Sequence, residues 1–329
     1  MKEFVHLNMN CNCVNDKELV LNIFYDLHSD FDTISAQEWH GPLTPGVPFV
    51  EHNGLRHVVV TSTSEVQTIP AVSTELRSML KRIQNFADRK CCAVIVHNKW
   101  SENIQLGSFV SSLLVVVTLL IDDIRVRSVA CHLPSGGVQA DEECELILTS
   151  LGCWMNLYPD DIWLFGIDGN CCLGKPTYED IEMLRSSLCC MNRDEVCMHA
   201  SNKLYDPQDA RGAMLSGWQY AHDLMAPTIL SCAAFTHRHW VSHNETTKDF
   251  IFIKVPKSKR HSVMIEESCI DPSLMPKQID HAPMSVVIQL AAVEKVYNKR
   301  REASLSKSKC KIGWAPADPV KYEEDVSKF

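Results

Sequence analysis

Apolar runs of strand length alternate along this chain with segments whose apolar residues have helical spacing. Leu113–Ile121 is a nearly unbroken apolar run, and Asp122-Asp123 separates it from the apolar segment Ile124–Cys131 as a hairpin turn would. Lys17–Leu27, in contrast, repeats its apolar residues every three or four positions. The alternation predicts an α/β fold, and because a hairpin joins two of its strands, the sheets should not be purely parallel.

The same two patterns divide most of the chain into predicted elements. Further strands are predicted at Phe4–Asn10, Asp32–Glu38, Cys91–His97, Ile162–Ile167, Asp249–Val255 and Met284–Leu290. Further helices are predicted at Thr74–Asp88, Glu142–Trp154, Tyr178–Met191 and Ala210–Met225. The apolar pattern fades from about residue 292. We therefore expect one folded domain over residues 1–291 and a basic linker or tail over residues 292–329.

Composition excludes several classes of protein. The 329 residues are 45% apolar and 22% charged, which is typical of a globular domain and not of a disordered chain. The most apolar run, Phe109–Ile121, has 13 residues and is too short to span a bilayer, so we expect no membrane association. The first residues do not resemble a signal peptide, which favours an intracellular protein.

The 15 cysteines do not have the spacing of a zinc site or of a disulfide framework. Several are direct neighbours, such as Cys91-Cys92 and Cys171-Cys172, and no C-x-x-C pair occurs. Neighbouring side chains point in divergent directions, so they serve tetrahedral metal geometry poorly. We expect most of these cysteines to be reduced thiols, many of them in the core.

The net charge of −9 is unfavourable for binding a polyanion, but the basic residues are unevenly distributed. Lys295–Lys311 contains seven Lys or Arg residues against one Glu, and Lys254–Arg260 contains four. Basic tails are most often solvated linkers, so these runs give mild support to nucleic-acid contact.

Short polar motifs lie at the ends of six predicted strands. Asp280-His281, just before the strand Met284–Leu290, is the most informative, because such a pair can hold an imidazolium against a phosphate. The others are Asn8-Met9-Asn10, Gln37-Glu38, His132-Leu133-Pro134, Asp168-Gly169-Asn170 and Asp249-Phe250-Ile251. Each alone is more typical of a turn or a solvated strand end. Together they place carboxylates, amides and imidazoles where α/β proteins build their sites.

In this order the six motifs resemble those of the endonuclease/exonuclease/phosphatase superfamily, which includes abasic-site endonucleases, pancreatic-type deoxyribonucleases and inositol phosphatases. The resemblance covers about residues 4–290. It implies a four-layered α/β sandwich in which two packed, mixed, largely antiparallel sheets are flanked by helices.

Two further details resemble the endonuclease domains of non-LTR retrotransposons. Asp209-Ala210-Arg211-Gly212 resembles their N-x-R-G helix, and the basic tail followed by Trp314 resembles their linker to a reverse transcriptase. The resemblance therefore implies a DNA-nicking endonuclease, a nuclear location and a reverse transcriptase joined to it in a longer polyprotein.

The resemblance also implies roles for individual residues in a metal-dependent phosphodiesterase. The implied ligands of Mg²⁺ or Mn²⁺ are Glu38, Asn10 and Asp280; the implied catalytic residues are His132, Asp168, Asn170, Asp249 and His281; the implied substrate-binding residues are Asn8 and Arg211. Asp168 would orient or deprotonate the attacking water, and His281 would stabilise the charge on the phosphate. His132 would donate to a phosphate oxygen.

Departures from the family pattern keep other functions open. Ile167 stands where the family usually has Gly, and we expect it to crowd the backbone near the phosphate, while Gly169 replaces an aromatic residue. These changes and the acidic charge motivate a non-catalytic binding module or retroelement relic. A phosphomonoesterase or lipid phosphatase would use the same polar groups. His237-Arg238-His239, with His243 nearby, is interpreted as a set of surface loop histidines in preference to a metal cluster.

Overall fold

A computed structural model describes residues 2–12, 14, 16–39, 49–61, 73–84, 91–105, 109–185, 206–230, 235–259 and 263–290. The strands are β1 Lys2–Asn10, β2 Thr33–Gln37, β3 Phe49–His52, β4 Leu55–Thr61, β5 Ala93–Val96, β6 Phe109–Val110, β7 Leu114–Ile121, β8 Ile124–His132, β9 Ile162–Asp168, β10 His237–Arg238, β11 Glu245–Thr246, β12 Asp249–Lys254, β13 Val263–Ile270 and β14 Met284–Leu290. The α-helices are α1 Lys17–Leu27, α2 Thr74–Gln84, α3 Val138–Leu157, α4 Tyr178–Arg185 and α5 Ala210–Ala221. Short 3₁₀ segments occupy Asn98–Asn103, Pro227–Leu230, Lys257–Lys259 and Pro272–Leu274.

Two sheets form the centre of the molecule. One has seven strands in the order β13-β14-β1-β2-β5-β4-β3, and the other has five in the order β12-β9-β8-β7-β6. In each large sheet one pair is parallel, β1 with β2 and β8 with β9, and the remaining pairs are antiparallel. Helix α1 connects the first parallel pair and α3 connects the second, as parallel pairing requires a crossover.

Apolar side chains pack the sheets and helices into four layers. Residues such as Phe4, Val117 and Ile288 fill the space between the two sheets. A second cluster, which includes Phe24, joins α1 to the outer face of the seven-stranded sheet. A third, which includes Trp154, joins α2, α3 and α5 to the outer face of the five-stranded sheet. The predicted four-layered sandwich of two mixed, largely antiparallel sheets is confirmed.

The sequence patterns did not identify every element. The hairpin β3–β4 was not predicted, although its turn Asn53-Gly54 is a strong hairpin signal and both residues have positive φ, 49° and 77°. Strand β13 was also not predicted. The helix predicted at Ala210–Met225 ends at Ala221, because the backbone of Met225 instead pairs with Ile253 of β12.

Parts of three predictions lie outside the described residues. These are residues 85–88 of the second predicted helix, residues 186–191 of the fourth, and the whole basic tail at 292–329. The domain boundary near residue 291 therefore stays a prediction. Among the helices that the structure describes, none combines the length and apolarity needed to cross a bilayer.

Candidate active site

The sheet topology brings the six polar motifs to one edge of the sandwich. Parallel strands end at the same edge, so Asn10 at the end of β1 lies beside Gln37 at the end of β2. For the same reason His132 at the end of β8 lies beside Asp168 at the end of β9. Strand β12 is antiparallel to β9, so its first residue, Asp249, pairs with Asp168. Strand β14 is antiparallel to β1, so the segment that enters it reaches the same edge.

Asp168 is the buried centre of this group and is 1% exposed. Asn10 donates from Nδ2 to Oδ2 of Asp168 at 2.7 Å, and the backbone N–H of Asn170 donates to Oδ1 at 3.0 Å. Burial alone would raise the pKa of Asp168, but the His132 and His281 rings and these two hydrogen bonds lower it below its ordinary value. Asp168 is therefore held as an ionised carboxylate with a fixed orientation.

His132 lies beside Asp168 in the same sheet, and Glu38 approaches both residues from the other sheet. The Nε2 atom of His132 is 3.9 Å from Oε1 of Glu38 and 3.7 Å from Oδ2 of Asp168. Asn170 donates from Nδ2 to Nε2 of His132 at 3.0 Å and to the carbonyl oxygen of Leu133 at 2.9 Å. The second of these contacts fixes which end of the Asn170 amide faces the histidine.

Two of these residues have left-handed backbone conformations. Glu38 has a φ of 49° and Asn170 a φ of 47°. Asparagine tolerates this region, but for glutamate it costs about 1–3 kcal/mol. Such strain is found most often at functional sites, where the surrounding structure holds it in place. Here it turns Glu38 out of β2 and towards the other motifs.

The two sheets are in close contact next to the site, and polar side chains join them there. Gln37 donates from Nε2 to Oδ1 of Asn8 at 2.8 Å and to the carbonyl oxygen of Gly166 at 2.9 Å. A Cβ atom at Gly166 would overlap Oδ1 of Asn8 and lie 2.5 Å from Cβ of Ser35. The approach therefore requires glycine at this position. Asn8, predicted to bind substrate, is fully buried and serves this packing.

Ile167 does not crowd the site, contrary to the expectation from the sequence. Successive side chains of a strand point to opposite faces, so Ile167 points away from Asp168. Its side chain packs in the cluster that contains Trp154, beneath the helices on the outer face of the five-stranded sheet. Replacement of the family's glycine at this position therefore leaves the inner face of β9 unchanged.

Asp249 and His281 form a buried ion pair. His281 donates from Nδ1 to Oδ2 of Asp249 at 2.7 Å, and the two residues are 7% and 0% exposed. Burial alone would lower the pKa of His281, but Asp249, Asp168 and Asp280 raise it to about 9. Burial raises the pKa of Asp249 despite the opposing effect of His281. His281 is therefore a cation at neutral pH, with its Nε2–H available to an anion.

Asp280 lies between two histidines. Its Oδ1 is 3.6 Å from Nε2 of His281, and its Oδ2 is 3.5 Å from Nε2 of His237. Burial alone would raise the pKa of Asp280, but His237 and His281 lower it. His237 was interpreted as a surface residue, and this was wrong: it is 7% exposed, whereas His239 and His243 of the same segment are exposed.

Arg211 contacts protein atoms beside the site. It donates from Nη1 to the carbonyl oxygen of Pro134 at 2.8 Å, from Nη2 to that of Gly136 at 3.1 Å, and from Nε to Asp141 at 3.0 Å. These contacts hold the loop that follows His132 against the start of α3. Substrate binding by Arg211 stays a prediction, since all the contacts described for its guanidinium are to protein atoms.

The donor set suits a divalent cation. Glu38, His132 and Asp168 each offer one ligand atom, and the three atoms lie within 4.8 Å of one another. Two buried carboxylates at this separation repel each other, and a cation between them would offset that repulsion. Hard cations such as Mg²⁺ and Mn²⁺ prefer oxygen ligands of this kind. The residues present therefore fit the metal that the sequence resemblance implies.

The fold is similar to that of solved endonucleases. The AP endonuclease LMAP from Leishmania major matches with a TM-score of 0.53 at 10% identity, over 88% of this chain and 88% of that one. An AP endonuclease from Archaeoglobus fulgidus matches with a TM-score of 0.51 at 14% identity, over 86% of this chain and 98% of that one. This chain has the endonuclease/exonuclease/phosphatase fold.

One further match comes from a retroelement. The endonuclease domain of TRAS1, a telomere-specific non-LTR retrotransposon, matches over 87% of this chain and 98% of that one, at 14% identity and with a TM-score of 0.49. No family model and no curated protein matches the sequence. The similarity to the two AP endonucleases shows the fold alone, and the roles of individual residues stay predictions.

Sequence reasoning missed two residues at this edge of the sandwich. The sequence identifies Gln37 only as the neighbour of Glu38 in a motif, yet its amide joins the two sheets. His237 belongs to a two-residue strand that pairs with His281 across an isolated bridge. Neither periodicity nor motif spacing signals so short a pairing. For Gln37 a signal existed, because a fully buried amide must find hydrogen-bond partners.

Proposed function

We propose that this chain is a metal-dependent phosphodiesterase that nicks DNA, of the kind found in retroelements. The observation that carries the proposal is the convergence of Glu38, Asp168 and the Asp249–His281 pair at one edge of the sandwich. Asp168 lies within reach of both groups, since its carboxylate forms one cluster with Glu38 and another with Asp249 and His281. A phosphate placed there meets carboxylates on one side and a cationic imidazole on the other.

In this proposal Asp168 orients the water that attacks the phosphorus and accepts its proton. A carboxylate fixed by Asn10 and Asn170 loses little orientational freedom when water binds. Its lowered pKa keeps it ionised, which a proton acceptor requires. Loss of such a group typically costs about 10²–10⁴-fold in rate.

His281 stabilises the negative charge that develops on the phosphate oxygens. The ion pair with Asp249 keeps the ring protonated and fixes its orientation, so that Nε2 donates to the substrate. His132 lies on the far side of Asp168, where its Nε2 accepts from Asn170, so its proposed donation to a phosphate oxygen requires that contact to break. The protein thus supplies preorganised charge, which is the main requirement of phosphoryl-transfer chemistry.

Glu38 would hold the cation, and the side-chain oxygen of Asn10, which accepts from the backbone N–H of Asn12, would be a further ligand. Asp280 contacts His281 at 3.6 Å and belongs to a different cluster from Glu38. When bound, Mg²⁺ or Mn²⁺ supplies a Lewis acid that polarises a phosphate oxygen and favours departure of the leaving group. Glu38 is 6% exposed, so its charge is poorly screened by water and its attraction for a cation is strong.

DNA is the proposed substrate because two solved structures with this fold are described as AP endonucleases. The retroelement type rests on the sequence resemblance, including the Asp209–Gly212 motif and the basic residues after 292. The nuclear location and a linked reverse transcriptase belong to the same proposal. Because the net charge of −9 repels DNA, we expect the contacts to DNA to be confined to the edge of the site and to the basic segments.

A substrate comparison tests this proposal against a phosphomonoesterase or lipid phosphatase. Wild-type protein with Mg²⁺ is given supercoiled plasmid, abasic duplex and inositol phosphates, and both nicked DNA and released phosphate are measured. We expect nicking and no phosphate release, with Asp168→Asn about 10²–10⁴-fold slower. Asp123→Asn, an exposed residue in the β7–β8 turn, has the same change of charge and should nick normally. Phosphate release without nicking would contradict the proposal.

Calorimetry separates an enzyme from a non-catalytic relic. An enzyme of this kind binds Mg²⁺ through Glu38, and Glu38→Gln weakens that binding while the protein stays folded. A relic would fold without binding the ion. Ile167 is one of the two sequence changes that motivated the relic hypothesis. Because it lies on the outer face of β9, it does not support that hypothesis.

A further inference from the structure

His237, Asp280 and His281 converge at the margin of the candidate active site. Each offers one ligand atom, and the three atoms lie within 4.8 Å of one another. The two imidazole rings meet edge to face, with their centroids 4.8 Å apart. Both Nε2 atoms face the Asp280 carboxylate, one oxygen for each ring, at 3.5 Å and 3.6 Å.

The opposite nitrogen of each ring is held by a second partner. Nδ1 of His281 donates to Asp249 at 2.7 Å, and Nδ1 of His237 lies 3.1 Å from Oγ1 of Thr246. Histidines that bind metals almost always use one nitrogen for the ion and the other for a carboxylate, carbonyl or water partner, and the Thr246 hydroxyl takes that place at His237. This arrangement therefore leaves both Nε2 atoms facing the Asp280 carboxylate.

The backbone fixes the same geometry. Arg238 donates its N–H to the carbonyl oxygen of Asp280 at 2.8 Å, and Ala282 donates to that of Thr236 at 2.7 Å. These bonds tie the short strand β10 to the segment that enters β14. The rings need little rearrangement to bind an ion, which reduces the free-energy cost of binding.

We propose that His237, Asp280 and His281 form a second cation site, selective for a transition metal such as Zn²⁺. Bonds of about 2.0–2.2 Å from zinc to nitrogen and oxygen in tetrahedral geometry place neighbouring ligand atoms roughly 3.4 Å apart. The separations between each Nε2 and its nearer Asp280 oxygen, 3.5 Å and 3.6 Å, are close to that value, and one ligand atom from each residue lies within 4.8 Å of the other two. Two imidazoles and one carboxylate favour zinc over Mg²⁺, which prefers oxygen ligands. One zinc position stays open.

The buried state of the ligands supports the same conclusion. His237 and His281 are each 7% exposed, and Oδ1 of Asp280 is buried with no hydrogen-bond partner among the described residues. A buried acceptor without a partner is costly, and a cation would satisfy it. Glu38 belongs to a different cluster, so the two sites are separable by substitution.

Zinc at this site would inhibit the proposed nuclease, and this consequence rests on the proposed function. An ion that binds Nε2 of His281 must displace the proton on that nitrogen to solvent, and this removes the donor that is proposed to stabilise the phosphate. The binding site itself depends only on the geometry of the three residues. Zinc binding therefore tests the second cation site, and Mg²⁺-dependent nicking in zinc-free buffer tests the proposed nuclease. Either result can be negative while the other is positive.

Zinc titration calorimetry and X-ray absorption on the full chain test the site. The Glu38→Gln protein is used as background, so that zinc does not bind at Glu38. We expect one zinc ion per chain, with a nitrogen and oxygen shell at about 2.0–2.2 Å. Adding His237→Gln should abolish this binding. Thr246→Val, which removes only the partner of Nδ1, should weaken it by about 10–100-fold.

His243→Asn is the matched control. His243 is exposed on the same segment and has a φ of 56°, which asparagine tolerates, so this change should leave zinc affinity unaltered. Circular dichroism verifies that each variant is folded. If His237→Gln is not folded, Thr246→Val alone tests the site. Zinc affinity unaffected by both His237→Gln and Thr246→Val, or a shell of sulfur at about 2.3 Å from the cysteines, would overturn the proposal.

Discussion

At the scale of single residues, the environment of each ionisable group determines its role. Asp168 and Asp249 are both buried, yet the pKa of one is lowered and that of the other is raised. Asp168 receives hydrogen bonds from two asparagines, whereas Asp249 has an ion pair with His281. In the proposed mechanism, two carboxylates 81 positions apart in the sequence thus have the roles of a proton acceptor and of a partner for a cation.

The raised pKa of His281 predicts an alkaline limit to activity. If the imidazolium stabilises the phosphate, the single-turnover rate should fall as pH rises through about 9. Asp249 is the main group that raises this pKa, so Asp249→Asn should move the fall to lower pH by about 1–3 units. Asp123→Asn removes the same charge from an exposed turn, and it should leave the pH at which the rate falls unchanged. An unchanged pH profile in Asp249→Asn would show that His281 does not act as a cation.

The same pair links stability to pH. The folded-state pKa of His281 is above the ordinary value of 6.5, so its contribution to the free energy of unfolding is fully present below pH 6.5. That contribution is lost as pH rises through about 9. In Asp249→Asn the loss should occur at lower pH, which urea denaturation at a series of pH values would measure.

At the scale of elements, the close approach of β9 to β1 and β2 sets the position of Glu38. Gly166 permits this approach, and Gln37 bonds across it immediately before Glu38. The parallel pairs β1–β2 and β8–β9 then place two sets of strand ends side by side. The site therefore depends on the packing of the sheets as much as on its own side chains.

Gly166→Ala tests this dependence. The added Cβ would overlap Oδ1 of Asn8, so the sheets must separate or Asn8 must move, at a cost of about 1–3 kcal/mol in stability. Nicking should slow as Gln37 and Glu38 shift. Gly217→Ala in α5 is the control, because a Cβ there meets no atom within 4 Å and alanine stabilises a helix by about 0.5–1 kcal/mol. Equal stability of Gly166→Ala and wild type in urea would contradict the packing argument.

Substitution of Arg211 distinguishes a positioning role of this side chain from a role in substrate binding. Lysine cannot make the three separate contacts of its guanidinium, and the half-exposed ion pair with Asp141 contributes little. Loss of the carbonyl contacts in Arg211→Lys should lower stability by roughly 1–2 kcal/mol and reduce kcat with little change in KM. Arg125→Lys, an exposed control on β8, should change neither. A raised KM with unaltered stability would instead favour substrate binding.

At the scale of the whole molecule, the α/β class and the mixed sheets were predictable because the strand and helix patterns are strong in its core, whereas the four layers were implied by the family resemblance. The site was predictable as a set of strand ends, since parallel and antiparallel pairing both bring such ends to one edge. Alternation along β9 could also have placed Ile167 on the outer face. The position of His237 could not be predicted, because it depends on a two-residue strand and an isolated bridge to His281.

The central claim is that strand ends far apart in the sequence form one metal-dependent phosphodiesterase site. Its most direct test is nicking of supercoiled plasmid as a function of Mg²⁺ concentration, by wild-type protein and by Glu38→Gln. We expect wild-type nicking to require Mg²⁺ and to stop on chelation. Glu38→Gln should need far more Mg²⁺ and remain slower at saturation. Nicking that is equal in the two proteins, or independent of the metal, would contradict the account.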